Sequence, residues 1–92
     1  MDVITLNSEK MTSVGMTHQY LKNKLKFPDY YGGNLDALWD VLATTSKPYH
    51  IKLINYDELK EQLGQYADEL LRVFIDAAKE NDNIIFEYCS KT

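Results

Sequence analysis

Asp36 and Asp40 stand four residues apart in the stretch Pro28-Asp29-Tyr30-Tyr31-Gly32-Gly33-Asn34-Leu35-Asp36-Ala37-Leu38-Trp39-Asp40, and they are the residues whose type and spacing could do chemistry. If Asn34 caps a helix, the two carboxylates lie on one face, one turn apart. Like charges so placed repel by about 0.2–0.5 kcal/mol, which a Lys or Arg at the second position would relieve. Three uses fit such a pair: a solvated helix face with Asp36 near the positive helix end, a charged docking surface, or an acid and base of the kind that cleaves glycosides. The third needs an apolar pocket to raise one carboxyl pKa, and the sequence around the pair suggests none.

Trp39 shifts the balance toward docking, because a large amphipathic ring bordering charge is the composition of a protein-binding hot spot. A lone tryptophan is also commonly a core residue, and the sequence leaves both open. Tyr30 and Tyr31 carry the same ambiguity: one packing down and one presented outward is the expected division. Gly32-Gly33 gives the backbone freedom for a sharp turn into the helix and lets a partner approach the main chain. It is no phosphate loop, since no Lys-Ser/Thr follows. Asp76 and Glu80 repeat the four-residue spacing further along. With Arg72 four residues before and Lys79 three after Asp76, they read as a salt-bridged exposed face, or as an extension of the first acidic surface if the two helices lie side by side.

Other polar candidates carry less. His18 and His50 lack zinc-ligand spacing and read as surface or sheet-edge residues. Cys89, the one cysteine, reads as buried and inert at the end of an apolar run, and it excludes an internal disulfide or a cysteine-rich zinc site. No nucleophile elbow accompanies any Ser.

Positioning these groups requires a scaffold, and the chain supplies its pattern. Val3-Ile4-Thr5-Leu6 suits a first strand. The spacing of Tyr20, Leu21 and Leu25 predicts a helix over 17–26, ended by Phe27-Pro28. Leu35, Leu38 and Leu42 predict a second helix from the Asn34 cap to about Ala43. Tyr49 to Ile54 reads as a strand, Asp57 to Leu63 as a short helix stopped by Gly64, and Asp68 to Glu80 as a helix with the inner stripe Leu70, Leu71, Phe74, Ala77 and Ala78. Ile84 to Cys89 closes the chain as a last strand after Asn81-Asp82-Asn83. Strands separated by helical stretches join most simply through right-handed crossovers, so the expected fold is an α/β layered domain with a parallel sheet packed against helices.

Size and composition narrow the function. Ninety-two residues, 45% hydrophobic and 26% charged, make one globular domain over 1–92. Fourteen acidic against ten basic residues give a formal charge of −4, which repels nucleic acid and anionic membrane and favours basic partners. With no signal-like N-terminus and no long apolar run, a cytoplasmic location is the expectation.

The block Tyr-Tyr-Gly-x-Asn-Leu-Asp-Ala-Leu-Trp-Asp, with Pro28 before it, Pro48 ahead of the second strand and Leu71-Arg72-Val73-Phe74 leading to Asp76 and Glu80, resembles the barstar family over nearly the whole chain. The resemblance implies a barstar-like layered domain with a three-stranded parallel sheet, no catalysis and no cofactor. It also implies that the protein inhibits a basic, barnase-like ribonuclease, is monomeric when free, and inserts the Asn34 helix and its preceding loop into the enzyme's active site. Carried over by position, Asp40 resembles the central carboxylate that takes the place of the substrate phosphate, and Asp36 a second charged contact. Tyr30, Tyr31, Gly32, Asn34, Leu35 and Trp39 match positions that form or support the interface, and Asp76 and Glu80 match peripheral acidic positions. Three departures mark a changed rim: Asp76 stands for a glutamate, Gly33 for an acidic residue, and the loop Ala43 to Lys47 is shorter and lacks a second tryptophan. A changed rim retunes specificity, so a barstar-fold immunity domain directed at a different basic protein or toxin is the alternative.

Overall fold

Three short strands run parallel in the computed structural model, which describes residues 3–90. They are β1 (Val3–Asn7), β2 (Tyr49–Ile54) and β3 (Ile84–Tyr88), side by side in that order. A parallel pair cannot be joined by a hairpin, so each connection must cross over, and helices fill both crossovers. The first carries α1 (Val14–Leu25) and α2 (Leu35–Thr44), and the second carries α3 (Tyr56–Leu63) and α4 (Gln65–Glu80). Right-handed crossovers that always step to the next strand in the same direction put all their helices on one face of the sheet.

The strands record this in their alternation. Ile4, Ile51 and Phe86 are register partners, as are Leu6, Leu53 and Tyr88, and Leu6, Ile51 and Leu53 are wholly buried. The intervening row Thr5, Lys52 and Glu87 points the other way, with His50 held to Glu87 at 2.9 Å and Val3 and Ile85 exposed beside it. One face is core and the other open. Parallel strands covered on both sides read as continuous apolar runs, and β2 instead alternates.

α4 lies along the inner layer through Ala67, Leu70, Phe74 and Ala77, all fully buried, with Leu71 and Ala78 half-buried at the margins of the stripe. Phe74 stacks on Phe86 of β3 at 4.9 Å between ring centroids. Burying such a side chain contributes about 1.5–3 kcal/mol, so this stripe is a main anchor of the sheet.

Three of the helices begin earlier than the apolar spacing alone predicts. α1 starts at Val14, where Ser13 accepts from the Met16 amide at 3.1 Å; α3 starts at Tyr56, and α4 at Gln65. α1 ends at Leu25 because Lys26 takes the left-handed conformation (φ 56°), and Phe27 donates back to the Lys22 carbonyl at 3.0 Å. Gly64 separates α3 from α4 at φ +59° but ψ −132°, outside the left-handed helical cap geometry the sequence suggests. β3 stops at Tyr88, leaving Cys89 past its end and half-buried rather than enclosed.

Candidate functional site

Asn34 makes the local geometry. Its side chain accepts from the Ala37 amide at 2.8 Å while its backbone stays extended, so α2 starts abruptly and Asp36 falls in the first turn, near the positive end of the helix. Leu38 and Leu42 turn inward and are fully buried. Asp36, Trp39 and Asp40 are thereby left on the solvent side, Trp39 with 37% of its surface exposed.

The loop before α2 divides its two tyrosines. Tyr30 is 86% exposed, whereas Tyr31 packs down against Phe27 with ring centroids 4.8 Å apart. The two glycines have different reasons. Gly33 sits at φ +70°, where a side chain would be strained, and a Cβ on Gly32 would lie 3.3 Å from the Ala37 Cβ, because the loop runs close over the first turn of α2.

Beneath Tyr31 lies a group that helical spacing misjudges. His18, read as a surface or sheet-edge residue, is only 3% exposed. Its Nδ1 bonds the Tyr31 hydroxyl at 2.7 Å and its Nε2 the Tyr66 hydroxyl at 2.6 Å. Burial lowers the pKa of the imidazole and raises that of the Tyr31 phenol, the latter with help from Tyr66, so all three stay neutral near pH 7. His50 is half-buried on the open face of the central strand, not at an edge.

Asp76 and Glu80 lie on α4, half-buried and exposed respectively. α4 packs along α2, and the two helices run in the same direction. Leu35 at the start of α2 shares a groove of about 860 Å³ with Glu69, Arg72 and Val73, while Asn81 after α4 reaches the carbonyls that end α2. Both acidic pairs therefore ascend neighbouring helices in parallel. The salt-bridged face read around Asp76 does not form: among the described residues the Lys or Arg ion pair is Lys60–Asp68, and His50 is hydrogen-bonded to Glu87. Lys60 and the Tyr56 hydroxyl hold the Asp68 carboxyl below its ordinary range. Asp36, Asp40, Asp76 and Glu80 have no such cation among the described residues.

No group of three or more His, Cys, Asp or Glu among the described residues could hold a metal ion, and no described helix is long and apolar enough to cross a membrane. What the arrangement offers is uncompensated carboxylates and aromatic surface on a rigid helix, which can satisfy cationic donors on another molecule.

The chain as a whole is similar to known proteins. The Bacillus subtilis (strain 168) protein named "Putative ribonuclease inhibitor YrdF" is 41% identical over 78 residues, covering 84% of this chain and 86% of that protein. The family model described as Barstar (barnase inhibitor) matches residues 1–89. That description is of an inhibitor rather than an enzyme, and the three-stranded parallel sheet with four helices is consistent with a barstar-like fold. This chain belongs to the Barstar family.

Proposed function

We propose that this protein inhibits a basic, barnase-like ribonuclease by seating α2 and the loop before it in the enzyme's active site. One observation carries the reading: Asp36 and Asp40 are exposed on one helix with no cation paired to them among the described residues. A ribonuclease must gather cationic donors around a phosphate, so carboxylates at matching spacing satisfy those donors and close the cleft. Asp40 is the central phosphate mimic and Asp36 a second charged contact. Tyr30, Tyr31, Gly32, Asn34, Leu35 and Trp39 form or support the contact surface, and Asp76 and Glu80 add acidic charge at its border. The relative named as a ribonuclease inhibitor and the family match support this reading. The protein works in the cytoplasm as a monomer until it meets its target, binds no nucleic acid itself and guards against the enzyme as an antitoxin does.

The test is inhibition of RNA hydrolysis by a purified barnase-type ribonuclease. Wild-type protein should inhibit stoichiometrically. Asp40→Ala should weaken inhibition by roughly 30-fold or more, the effect of removing one partner of a desolvated charge pair worth on the order of 2–5 kcal/mol. Equal inhibition by both proteins would remove the mechanism. Capture of a basic protein that is no ribonuclease would redirect the same surface to another target.

A further inference from the structure

We propose that His18 is a positioning residue for the binding loop: through its two ring nitrogens it ties Tyr31 to Tyr66, and so fixes the loop ahead of α2 against both α1 and α4. The imidazole is the junction of three separate chain segments. It projects from α1 and meets the Tyr31 hydroxyl 13 residues on at 2.7 Å and the Tyr66 hydroxyl 48 residues on at 2.6 Å. A neutral imidazole has one donor and one acceptor, so one tyrosine hydroxyl receives its N–H and the other donates to its bare nitrogen. At 3% exposure neither bond has water as a ready substitute, and losing one leaves a buried polar group unpaired.

The ring's surroundings suit a tether rather than filler. Tyr31 lies tilted against His18 on one side and Phe27 on the other, with centroids at 5.9 and 4.8 Å, and Tyr66 meets His18 edge-on. The loop's other anchors are few. Tyr31 donates its amide to the Pro28 carbonyl at 3.0 Å, and Lys22 reaches the Asp29 carbonyl at 3.3 Å from an exposed position. A cleft of about 260 Å³ opens between α1 and the loop, lined by Gly15, Gln19 and Gly33 as well as His18. Phe27 supports the Tyr31 ring from within the core, and the hydrogen-bonded imidazole fixes its hydroxyl end and ties it across to α4. The consequence for binding rests on the inhibitory reading above; the effect on the loop does not.

Amide hydrogen exchange on the free protein is the direct test, read at Tyr31 and neighbouring loop amides with Leu21 in α1 as reference. His18→Leu keeps apolar volume and removes both bonds, Tyr66→Phe removes one hydroxyl at a residue outside the proposed contact set, and His18→Gln keeps a donor and an acceptor. Loop exchange should quicken about tenfold or more in His18→Leu and in Tyr66→Phe, with Leu21 unchanged, and return toward wild type in His18→Gln. Against a barnase-type ribonuclease the first two should inhibit about tenfold more weakly than wild type. Wild-type loop protection in both would overturn the proposal, as would equal behaviour of the Leu and Gln variants, which would make His18 a matter of volume. Failure of the wild type to inhibit any ribonuclease would sink the inhibitory reading while leaving the exchange result to decide the tether.

Discussion

The Asn81 side-chain amide donates to the backbone oxygens of both Leu42 and Thr45, each at 2.9 Å, so the residue that ends α4 also closes α2. Asn83 adds a further bond to Thr45 at 3.2 Å. Helix C-termini leave carbonyls without intrahelical partners, and here a neighbouring segment supplies them. Asn81→Ala should destabilise the protein by about 1–3 kcal/mol in urea titration. Asn81→Asp should be worse, because a carboxylate would face two carbonyls at the negative helix end. An aspartate variant as stable as wild type would contradict this role.

Exposed carboxylates act chiefly on encounter. Raising salt from low to physiological strength should slow association with a barnase-type enzyme far more than it speeds dissociation, since the screening length contracts to about 8 Å. Asp36→Ala should lower the association rate and flatten its salt dependence, and Asp40→Ala should chiefly raise the dissociation rate. Stopped-flow kinetics at several salt concentrations separates the two, and the reverse pattern would exchange the roles assigned to these aspartates.

How much of this was legible in the chain follows from the range of the interactions involved. α2 was read closely because its determinants are local: the Asn34 cap and Leu35, Leu38 and Leu42 lie within one short window. The parallel sheet followed from element order and crossover handedness. The first turn of α1 is invisible to apolar spacing, because Val14, Gly15 and Met16 are exposed and carry no apolar period; the Ser13 cap is the local signal for it. The place of His18 is not legible locally, because its partners lie 13 and 48 residues away and its burial belongs to tertiary structure. The same holds for Tyr66, and Asn81 carries in sequence only the signature of a turn residue. The charges around Asp76 suggested intrahelical pairs, yet spacing permits such pairs without requiring them.

Stability should depend on pH through His18 in a definite direction. Burial lowers its pKa in the folded protein below the ordinary 6.5, so the unfolded chain takes up the proton first as pH falls. The contribution is complete above about pH 6.5, declines as pH drops through the interval down to the lowered folded value, and levels off beneath it. Urea midpoints between pH 8 and pH 5 should show this fall, with a slope of up to about 1.4 kcal/mol per pH unit. His18→Gln should remove that slope. Asp68 acts in a separate window: its carboxyl is held below the ordinary 3.8 by Lys60 and Tyr56, so its stabilisation is present above that value and fades in more acid solution.

Tyr30 and Trp39 border the acidic helix with unequal exposure, and that difference separates contact from scaffold. Tyr30 is 86% exposed and touches little of its own protein, so Tyr30→Ala should change unfolding free energy by no more than about 0.5 kcal/mol. Its loss should appear only in ribonuclease inhibition, because a large ring on a loop held from below is suited to contact at small entropic expense. Trp39, at 37% exposure, has most of its surface covered. Trp39→Ala should therefore both lower stability by more than 1 kcal/mol and weaken inhibition, while Trp39→Phe should recover much of the stability. Equal effects of Tyr30→Ala and Trp39→Ala on the free protein would mean that exposure does not distinguish their roles.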